Sequence, residues 1–248
     1  MPRIQERILN VLSAATIDGA LLRLNGELDR ETYQGVNKVL EAAGGKWNRK
    51  VRAHVFDGDA NEALEPILLT GEWQNTKQDF GQFDTPASLA KDIVGIAEIL
   101  NGMAALEPSF GLGNIAIEME RAGAKVHGFE IDTKRYASGA QRCAFLGGKQ
   151  QADFLKSPFF PDFDRVVMNP PFAGQADIRH VLHAHKFLKS GGLLVSIMSA
   201  GTLFRENEAA RNFRIFVKEH GGTLQPLPEN SFKDSGTAVR TCVATMPA

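Results

Sequence analysis

The sequence predicts an α/β fold in which a doubly wound, mostly parallel sheet is covered by helices on both faces. From about residue 80 onward, short apolar segments typical of buried strands alternate with segments that have helical periodicity. This alternation indicates a parallel sheet, because parallel strands need crossover connections between them. The last two strand-like segments, 223–227 and 239–246, have no helix between them. We therefore expect an antiparallel strand at the C-terminal end of the sheet.

The elements of this domain can be placed from their residue patterns. Four apolar segments predict buried strands: 103–106, 126–131, 165–168 and 193–198. The first helix begins near residue 85, where Thr85 is a suitable N-cap and Pro86 a suitable first-turn residue. Its buried stripe would consist of Leu89, Ile93, Ile96 and Leu100. Residues 177–189 predict a later helix that stops at Gly191 and Gly192.

Residues 1–79 predict a small N-terminal module and connector ahead of the domain that spans 80–248. Residues 1–56 contain nine Lys or Arg and six Asp or Glu, whereas residues 57–79 are acidic. A predicted helix over 29–43 is followed by a basic hairpin, an order that resembles a winged-helix arrangement.

Four cations of this hairpin could contact phosphates, which would position nucleic acid without reading its sequence: Lys46, Arg49, Lys50 and Arg52. The alternative is a solvated turn with Trp47 packed on the module's core.

The composition of the 248 residues is ordinary for a globular protein, with 43% hydrophobic and 23% charged residues. No apolar run approaches membrane-spanning length and the start lacks a secretory pattern, so we expect a cytoplasmic protein. Cys143 and Cys242 lie far apart, and no residues complete a metal site with His180, His183 and His185, so we expect no bound metal. The net charge of −1 means that nucleic-acid binding would depend on local patches.

A glycine-rich turn after the first strand predicts a nucleoside-containing cofactor. Gly111 and Gly113 permit a tight turn and close approach of a ligand to the backbone. Glu130 ends the next strand 19 positions after Gly111, where a carboxylate can accept hydrogen bonds from ribose hydroxyls. Ala116 completes G-x-G-x-x-A, so a dinucleotide fits nearly as well, and an ordinary tight turn is the alternative. The helix start at Thr85 could bind a carboxylate such as the amino-acid tail of S-adenosylmethionine.

The most informative segment is Asn169-Pro170-Pro171-Phe172, which follows an apolar strand. The two prolines fix φ and remove two N–H donors, which leaves local carbonyls free to accept hydrogen bonds. An amide oxygen, a free carbonyl and an aromatic ring together suit an exocyclic amine on a flat heterocycle. The alternative is a proline-rich turn that closes a loop.

Together these segments resemble the S-adenosylmethionine-dependent DNA adenine-N6 methyltransferases in which the cofactor motifs precede the catalytic motif. The resemblance covers about residues 80–248 and implies a seven-stranded Rossmann-like methyltransferase sheet. Residues 82–86 resemble the motif that holds the methionine end of the cofactor, and 106–113 resemble the Gly-rich cofactor loop. Glu130 matches the ribose-binding acid, Ile131 the residue that packs on the cofactor adenine, and 153–154 the segment at its amino edge. The implied cofactor-binding residues are Phe83, Thr85, Pro86, Glu107, Pro108, Phe110, Gly111, Gly113, Glu130, Ile131, Asp153 and Phe154.

The same resemblance implies that catalysis belongs to Asn169, Pro170, Pro171 and Phe172. The Asn169 side-chain oxygen and the Pro170 carbonyl would accept hydrogen bonds from the target amine. Phe172 would stack on the base, and Phe232 would close its other face. A base in a duplex would have to flip out of the helix to reach such a pocket.

Three alternatives remain at this stage. An RNA-base or protein-amide methyltransferase would keep every cofactor residue and differ only in its substrate. A nicotinamide-dependent oxidoreductase would explain the glycines and Glu130 but would give residues 169–172 no role. A non-catalytic nucleic-acid-binding protein would leave the intact tetrapeptide unexplained. In the resembling family a target-recognition domain usually follows the catalytic domain, whereas this sequence ends at Ala248. We therefore expect sequence readout from residues 1–56, from catalytic-domain loops or from a partner.

Overall fold

The structure is a computed structural model that describes residues 4–71, 83–145, 147–235 and 239–248. The N-terminal module contains α1 (Glu6–Ser13), β1 (Thr16–Asp18), β2 (Leu21–Arg23), α2 (Arg30–Ala42), β3 (Lys46–Asn48), β4 (Ala53–Val55) and α3 (Ala60–Thr70). Its four strands pair antiparallel in the order β1-β2-β4-β3. The predicted helix and the basic hairpin correspond to α2 and to β3–β4.

The module has a hydrophobic core of its own. Helix α2 begins where the Asp29 carboxylate accepts a hydrogen bond from the Thr32 N–H at 2.9 Å. Val36 and Leu40 then lie one helical turn apart and are fully buried. Leu64 of α3 belongs to the same core, so this helix packs on the module although its residues fall in the acidic stretch predicted as a connector.

The second part of the chain contains a seven-stranded sheet with helices between its strands. Its elements are α4 (Ala87–Ile96), β5 (Ala104–Glu107), α5 (Asn114–Arg121), β6 (Lys125–Glu130), α6 (Thr133–Arg142), β7 (Gly148–Gln151), β8 (Phe163–Met168), α7 (Ala176–His185), β9 (Leu188–Ser199), α8 (Glu208–Glu219), β10 (Thr223–Pro226) and β11 (Thr241–Pro247). The strand order is β10-β11-β9-β8-β5-β6-β7. Strand β11 runs antiparallel to both neighbours, and the other pairs are parallel. The predicted fold class is therefore confirmed.

The strand order creates a crevice at the centre of the sheet. Strand β5 lies between β6 and β8, so the chain proceeds in opposite directions from β5 on its two sides. Ligands of doubly wound sheets bind at such a switch point, beyond the carboxyl ends of the strands. One core cluster packs α4 and α5 against one face of the sheet, and a second packs α7 and α8 against the other. No helix of the described residues is long and apolar enough to cross a membrane.

The first helix of this domain differs from the prediction at both ends. Pro86 occupies the N-cap position of α4, and no side chain caps the helix there, so Thr85 is not its cap. Leu89 and Ile93 are buried as expected, but Ile96 and Leu100 are exposed. The helix ends at Ile96. Leu100 follows the helix, so its helical spacing in the sequence does not correspond to a buried helical position.

The predicted helix over 177–189 is also too long. Helix α7 ends at His185, and Leu188 already pairs with Phe163 in the sheet. Gly191 has a φ of 77° and lies inside β9, where the register with β8 shifts. The two glycines therefore mark an irregularity within a strand rather than the end of a helix.

Candidate active site

A cavity of about 200 Å³ opens at the carboxyl ends of β5, β6 and β8. Residues predicted from the sequence that line it are Phe83, Thr85, Glu107, Pro108, Phe110, Gly111, Glu130, Ile131, Asp153, Phe154, Asn169 and Pro171. Predicted residues that lie outside its lining are Pro86, Gly113, Pro170, Phe172 and Phe232. The lining also includes three residues of the predicted cofactor segments 82–86 and 106–113, namely Asp84, Ser109 and Leu112. Lining residues that the sequence reasoning missed are Asn114, Ile115, Arg135, Ala152 and His180. Gln82, part of the predicted methionine-end motif, lies outside the described residues.

The two glycines of the turn have different positions. Gly111 has a φ of 52° and donates its N–H to Glu130 Oε2 at 2.8 Å, at the wall of the cavity. Gly113 has a φ of 81° and caps helix α5. A Cβ on Gly113 would lie 2.6 Å from the Cys143 sulfur, so this glycine is required for packing against the residue that follows α6.

Glu130 connects the glycine turn to the end of β6. The carboxylate is 6% exposed, and its two oxygens accept hydrogen bonds from the N–H groups of Gly111 and Asp132, each at 2.8 Å. Each oxygen has a second lone pair, so the carboxylate can accept further hydrogen bonds from ligand hydroxyls in the cavity.

Glu107 is a buried carboxyl group whose Oε2 has no hydrogen-bond partner among the described residues. Burial raises its pKa well above the usual range, although a backbone hydrogen bond from Ala116 works in the opposite direction. Desolvation at this position disfavours the carboxylate relative to the neutral acid. A cationic group placed beside Glu107 would favour the carboxylate, so this corner of the cavity suits the ammonium group of an amino acid.

The far end of the cavity contains one exposed apolar side chain and one ion-paired acid. Ile131 is 59% exposed although it is an isoleucine at the end of a buried strand. Asp153 pairs with Lys156 at 3.1 Å, and this hydrogen bond lowers the pKa of the carboxyl group. Phe154 is buried and stacks on His180 with 6.2 Å between ring centroids. An apolar surface beside a carboxylate suits a flat heterocycle that carries an amino group.

Asn169 has an orientation that its neighbours determine. Its Nδ2 donates to the Phe83 carbonyl and to Thr85 Oγ1, both at 3.0 Å. A carbonyl oxygen can only accept, so the nitrogen end of the amide must face Phe83. The Oδ1 atom is consequently directed elsewhere, and it is buried without a partner among the described residues. Thr85 therefore orients the amide of Asn169 instead of capping a helix.

Three phenylalanines lie together beside the tetrapeptide. The Phe83 ring is 6.0 Å from that of Phe172 and 6.4 Å from that of Phe232. Phe172 and Phe232 are 1% and 0% exposed, and Phe83 lines the cavity. A base could stack on either buried ring only after the groups that cover it, Phe83 among them, have moved.

An ion pair crosses the mouth of the cavity. Arg135 Nη2 contacts Asp84 Oδ1 at 2.5 Å, and a Cβ on Gly111 would lie 2.4 Å from the same nitrogen. The Asp84 carbonyl in turn accepts a hydrogen bond from Ser235 Oγ at 2.6 Å, close to Phe232 in the chain. The charges of Arg135 and Asp84 are 51 residues apart, and no local pattern in the sequence could have identified the pair.

The basic hairpin presents its side chains to solvent. Lys46, Arg49, Lys50 and Arg52 are exposed. Trp47 is 49% exposed, and its ring lies 5.1 Å from the ring of buried His54, so it packs on the surface of the module's core and keeps one side open to solvent. It borders an open groove together with Arg23, Leu24, Tyr33, Val51 and Arg52. Arg23 and Tyr33 come from β2 and α2, which is why the hairpin sequence alone did not reveal them.

No three His, Cys, Asp or Glu side chains of the described residues come together as a metal site. Cys143 and Cys242 are both buried, and burial raises the pKa of each thiol, that of Cys143 to about 12.

No protein-family model matches the chain, and no curated protein does. Among solved structures, the methyltransferase subunit of a type I restriction-modification system from Streptococcus thermophilus gives a TM-score of 0.61 at 24% identity, covering 75% of this chain and 48% of that one. The M protein of the type I restriction enzyme EcoKI gives 0.58 at 15% identity, covering 96% and 56%. A dimethyladenosine transferase from Plasmodium falciparum gives 0.51 at 20% identity, covering 67% and 63%. The chain thus spans about half the length of the two type I subunits. These similarities show the Rossmann-like methyltransferase fold.

Proposed function

We propose that this protein transfers a methyl group from S-adenosylmethionine to the exocyclic N6 amine of adenine in DNA. The observation that carries the proposal is the orientation of Asn169. Two acceptors fix its nitrogen, and its buried Oδ1 is left without a partner at the cavity. An unpaired buried acceptor is costly, and an incoming amine N–H would satisfy it.

The cavity offers a group for each part of the proposed cofactor. Glu130 would accept hydrogen bonds from the ribose hydroxyls, and Glu107 would face the methionine ammonium. Ile131, Asp153 and Phe154 would surround the adenine ring and its amino group. A nicotinamide cofactor could use the same glycine turn, but it would leave Asn169 Oδ1 without a function.

The residues of the tetrapeptide would act by positioning and electrostatics. The amine lone pair of adenine is delocalised into the ring, and hydrogen bonds to Asn169 Oδ1 and the Pro170 carbonyl would localise it on nitrogen. S-adenosylmethionine supplies a methyl group on a sulfonium, whose C–S bond would break so that the neutral thioether S-adenosylhomocysteine leaves, while the methylated amine would lose one proton to water. Well-oriented intramolecular reactions gain about 7–11 kcal/mol from positioning, so this arrangement needs neither a metal nor a covalent intermediate. Phe172 and Phe232 would enclose the base once Phe83 has moved.

Two observations favour DNA as the substrate. Residues 1–79 would be a nucleic-acid-contacting module attached to a methyltransferase domain over 80–248, because the exposed hairpin combines cations with an aromatic ring. In addition, the similarity to the EcoKI M protein extends over 96% of the chain and so includes this module. The second candidate is an RNA adenine, because a putative RNA methyltransferase from Pyrococcus horikoshii is similar to 71% of the chain and the dimethyladenosine transferase to 67%.

Methyl transfer from labelled S-adenosylmethionine to separate DNA, RNA and protein pools tests the proposal, with nucleoside analysis of the product. We expect N6-methyladenine in DNA. Asn169→Ala should remove most turnover while S-adenosylhomocysteine still binds, and Asn212→Ala on the exposed face of α8 serves as the matched control. Near-normal methylation by Asn169→Ala would refute the mechanism. Thermal stabilisation by NAD but not by S-adenosylhomocysteine would support the oxidoreductase instead.

A further inference from the structure

Glu65 connects the N-terminal module to the loop that follows the tetrapeptide. It lies on α3, and its Oε2 accepts a hydrogen bond from the Gly174 N–H at 2.8 Å, two residues beyond Phe172. We infer that Glu65 is a positioning residue that keeps Asn169 and Phe172 in place from the other module. The inference rests on the proposed function of those two residues.

The loop has a backbone conformation that directs this N–H toward α3. Gly174 has a φ of 59° and Gln175 a φ of 55°, so two consecutive left-handed residues follow the tetrapeptide after Ala173. The Gly174 carbonyl accepts a hydrogen bond from Arg179 Nη1 at 2.8 Å. The Gly174 N–H is therefore bonded to the N-terminal module and the Gly174 carbonyl to α7. A displacement of α3 would consequently act directly on the loop.

The Glu65 carboxylate lies in a buried group of charges. Arg205 is 3.6 Å from Glu65 Oε1, and both residues are 8% exposed. A Cβ on Gly201 would lie 2.6 Å from Arg205 Nε, so the glycine leaves room for the guanidinium to reach α3. The charge of Arg205 keeps a carboxylate acceptable at this buried position, where it can accept the Gly174 N–H.

Helix α3 also contacts the segment that leads from the Phe232 loop into β11. Its Leu69 carbonyl accepts a hydrogen bond from the Arg240 N–H at 2.7 Å. Arg240 also pairs with Glu6 of α1 at 3.3 Å. The N-terminal module therefore touches the chain on both sides of the proposed base pocket, beside Phe172 and beyond Phe232. Its placement and the geometry of that pocket are coupled.

Two substitutions separate positioning from a purely structural charge cluster. Glu65→Gln and Glu65→Ala both deprive Arg205 of its ionic partner, but the Gln amide oxygen can still accept the Gly174 N–H. The difference between these variants isolates the hydrogen bond to the loop. Glu62→Ala, at an exposed position of the same helix, is the control. Combined Glu65→Met and Arg205→Met replaces the buried pair by apolar groups of similar volume, which in other proteins is often neutral for stability, and still removes the acceptor. Because Arg205 also favours the charge of buried Asp177, the urea midpoint of this variant is measured alongside.

Hydrogen exchange of residues 172–178 gives a readout that does not depend on activity. Glu65→Ala and the double Met variant should exchange faster there, whereas Glu65→Gln and Glu62→Ala should match wild type. In methyl transfer, the first two should lose kcat on the order of 10²-fold with unchanged S-adenosylhomocysteine affinity, because small displacements of a catalytic loop have effects of this size.

Unchanged exchange in Glu65→Ala, or equal effects of Glu65→Ala and Glu65→Gln in both assays, would overturn the inference. A wild-type protein that transfers no methyl group would instead refute the proposed function, and the exchange experiment would still decide whether Glu65 fixes the loop.

Discussion

Thr85→Val tests whether Thr85 acts on Asn169 or on the cofactor. The substitution keeps the shape of the side chain and removes the oxygen that accepts one Asn169 N–H at 3.0 Å. The other N–H keeps the Phe83 carbonyl as its acceptor, so the amide loses one of two fixed contacts. A buried donor left without a partner costs about 1–3 kcal/mol.

If this cost falls on the orientation of Asn169 in the transition state, kcat should decrease about 5- to 150-fold. Initial rates of methyl transfer at saturating cofactor measure the effect, and calorimetry with S-adenosylhomocysteine measures cofactor affinity. Thr85→Ser keeps the hydroxyl and should behave like wild type. A weaker affinity for S-adenosylhomocysteine with unchanged kcat would refute the reasoning and would place the hydroxyl on the cofactor, as the sequence resemblance implies.

Three further predictions concern buried groups of the same domain. Glu130→Gln should weaken S-adenosylhomocysteine binding and lower stability by about 1.5–3 kcal/mol, because the N–H groups of Gly111 and Asp132 bond to different carboxylate oxygens and the amide replaces one of these acceptors by an NH2 donor; equal urea midpoints would contradict this. Burial raises the pKa of Asp177 to about 6 in the folded protein from 3.8, so its stabilising contribution relative to Asp177→Asn is complete below about pH 4 and is lost as the pH rises through 6. The lost contribution amounts to about 3 kcal/mol of unfolding free energy. Urea titrations from pH 4 to 8 would detect it as a difference in unfolding free energy between the two proteins that changes with pH. Cys143 and Cys242 should resist an aromatic disulfide reagent at pH 8 until guanidinium unfolds the chain, since burial raises the pKa of both thiols; rapid native labelling would be inconsistent with this.

The sequence predicted the sheet well because its signals are local. Each strand that was placed from the sequence contains an apolar segment, and the glycine turn and the tetrapeptide follow their strands. Strand β7 consists of one glycine and three polar residues and was not predicted. The side-chain network was not predictable in the same way. Thr85 looks like a helix cap, because the pattern Thr-Pro before an apolar stripe is typical of one. Its actual partner, Asn169, is 84 residues away and becomes a neighbour only through the strand order.

The same distinction applies to the predicted aromatic residues. Sequence order places Phe172 and Phe232 in the site, but burial is a property of packing, and both rings are covered in the structure. Phe83 was assigned to the cofactor, yet its ring contacts both of the others. Phe83 therefore lies between the cavity and the proposed base pocket, a position that the sequence did not predict.

The unpaired Oδ1 of Asn169 could accept a hydrogen bond from any N–H donor, so its geometry does not identify the molecule that carries the proposed amine. The choice of nucleic acid must depend on residues outside the cavity. In the described part of the chain, α3 packs against the core of the module that exposes the basic hairpin, and Glu65 of the same helix accepts a hydrogen bond from Gly174 in the loop after the tetrapeptide. A substrate bound at the hairpin could thus affect this loop through the module's core and α3. Hairpin substitutions such as Lys50→Ala should then raise KM for DNA and make KM less dependent on salt concentration, because one phosphate contact is lost, while Glu65→Ala should lower kcat at constant KM. If substitution of the hairpin cations changed kcat and left KM for DNA unchanged, the hairpin would not act in DNA binding as predicted, and this reasoning would be refuted.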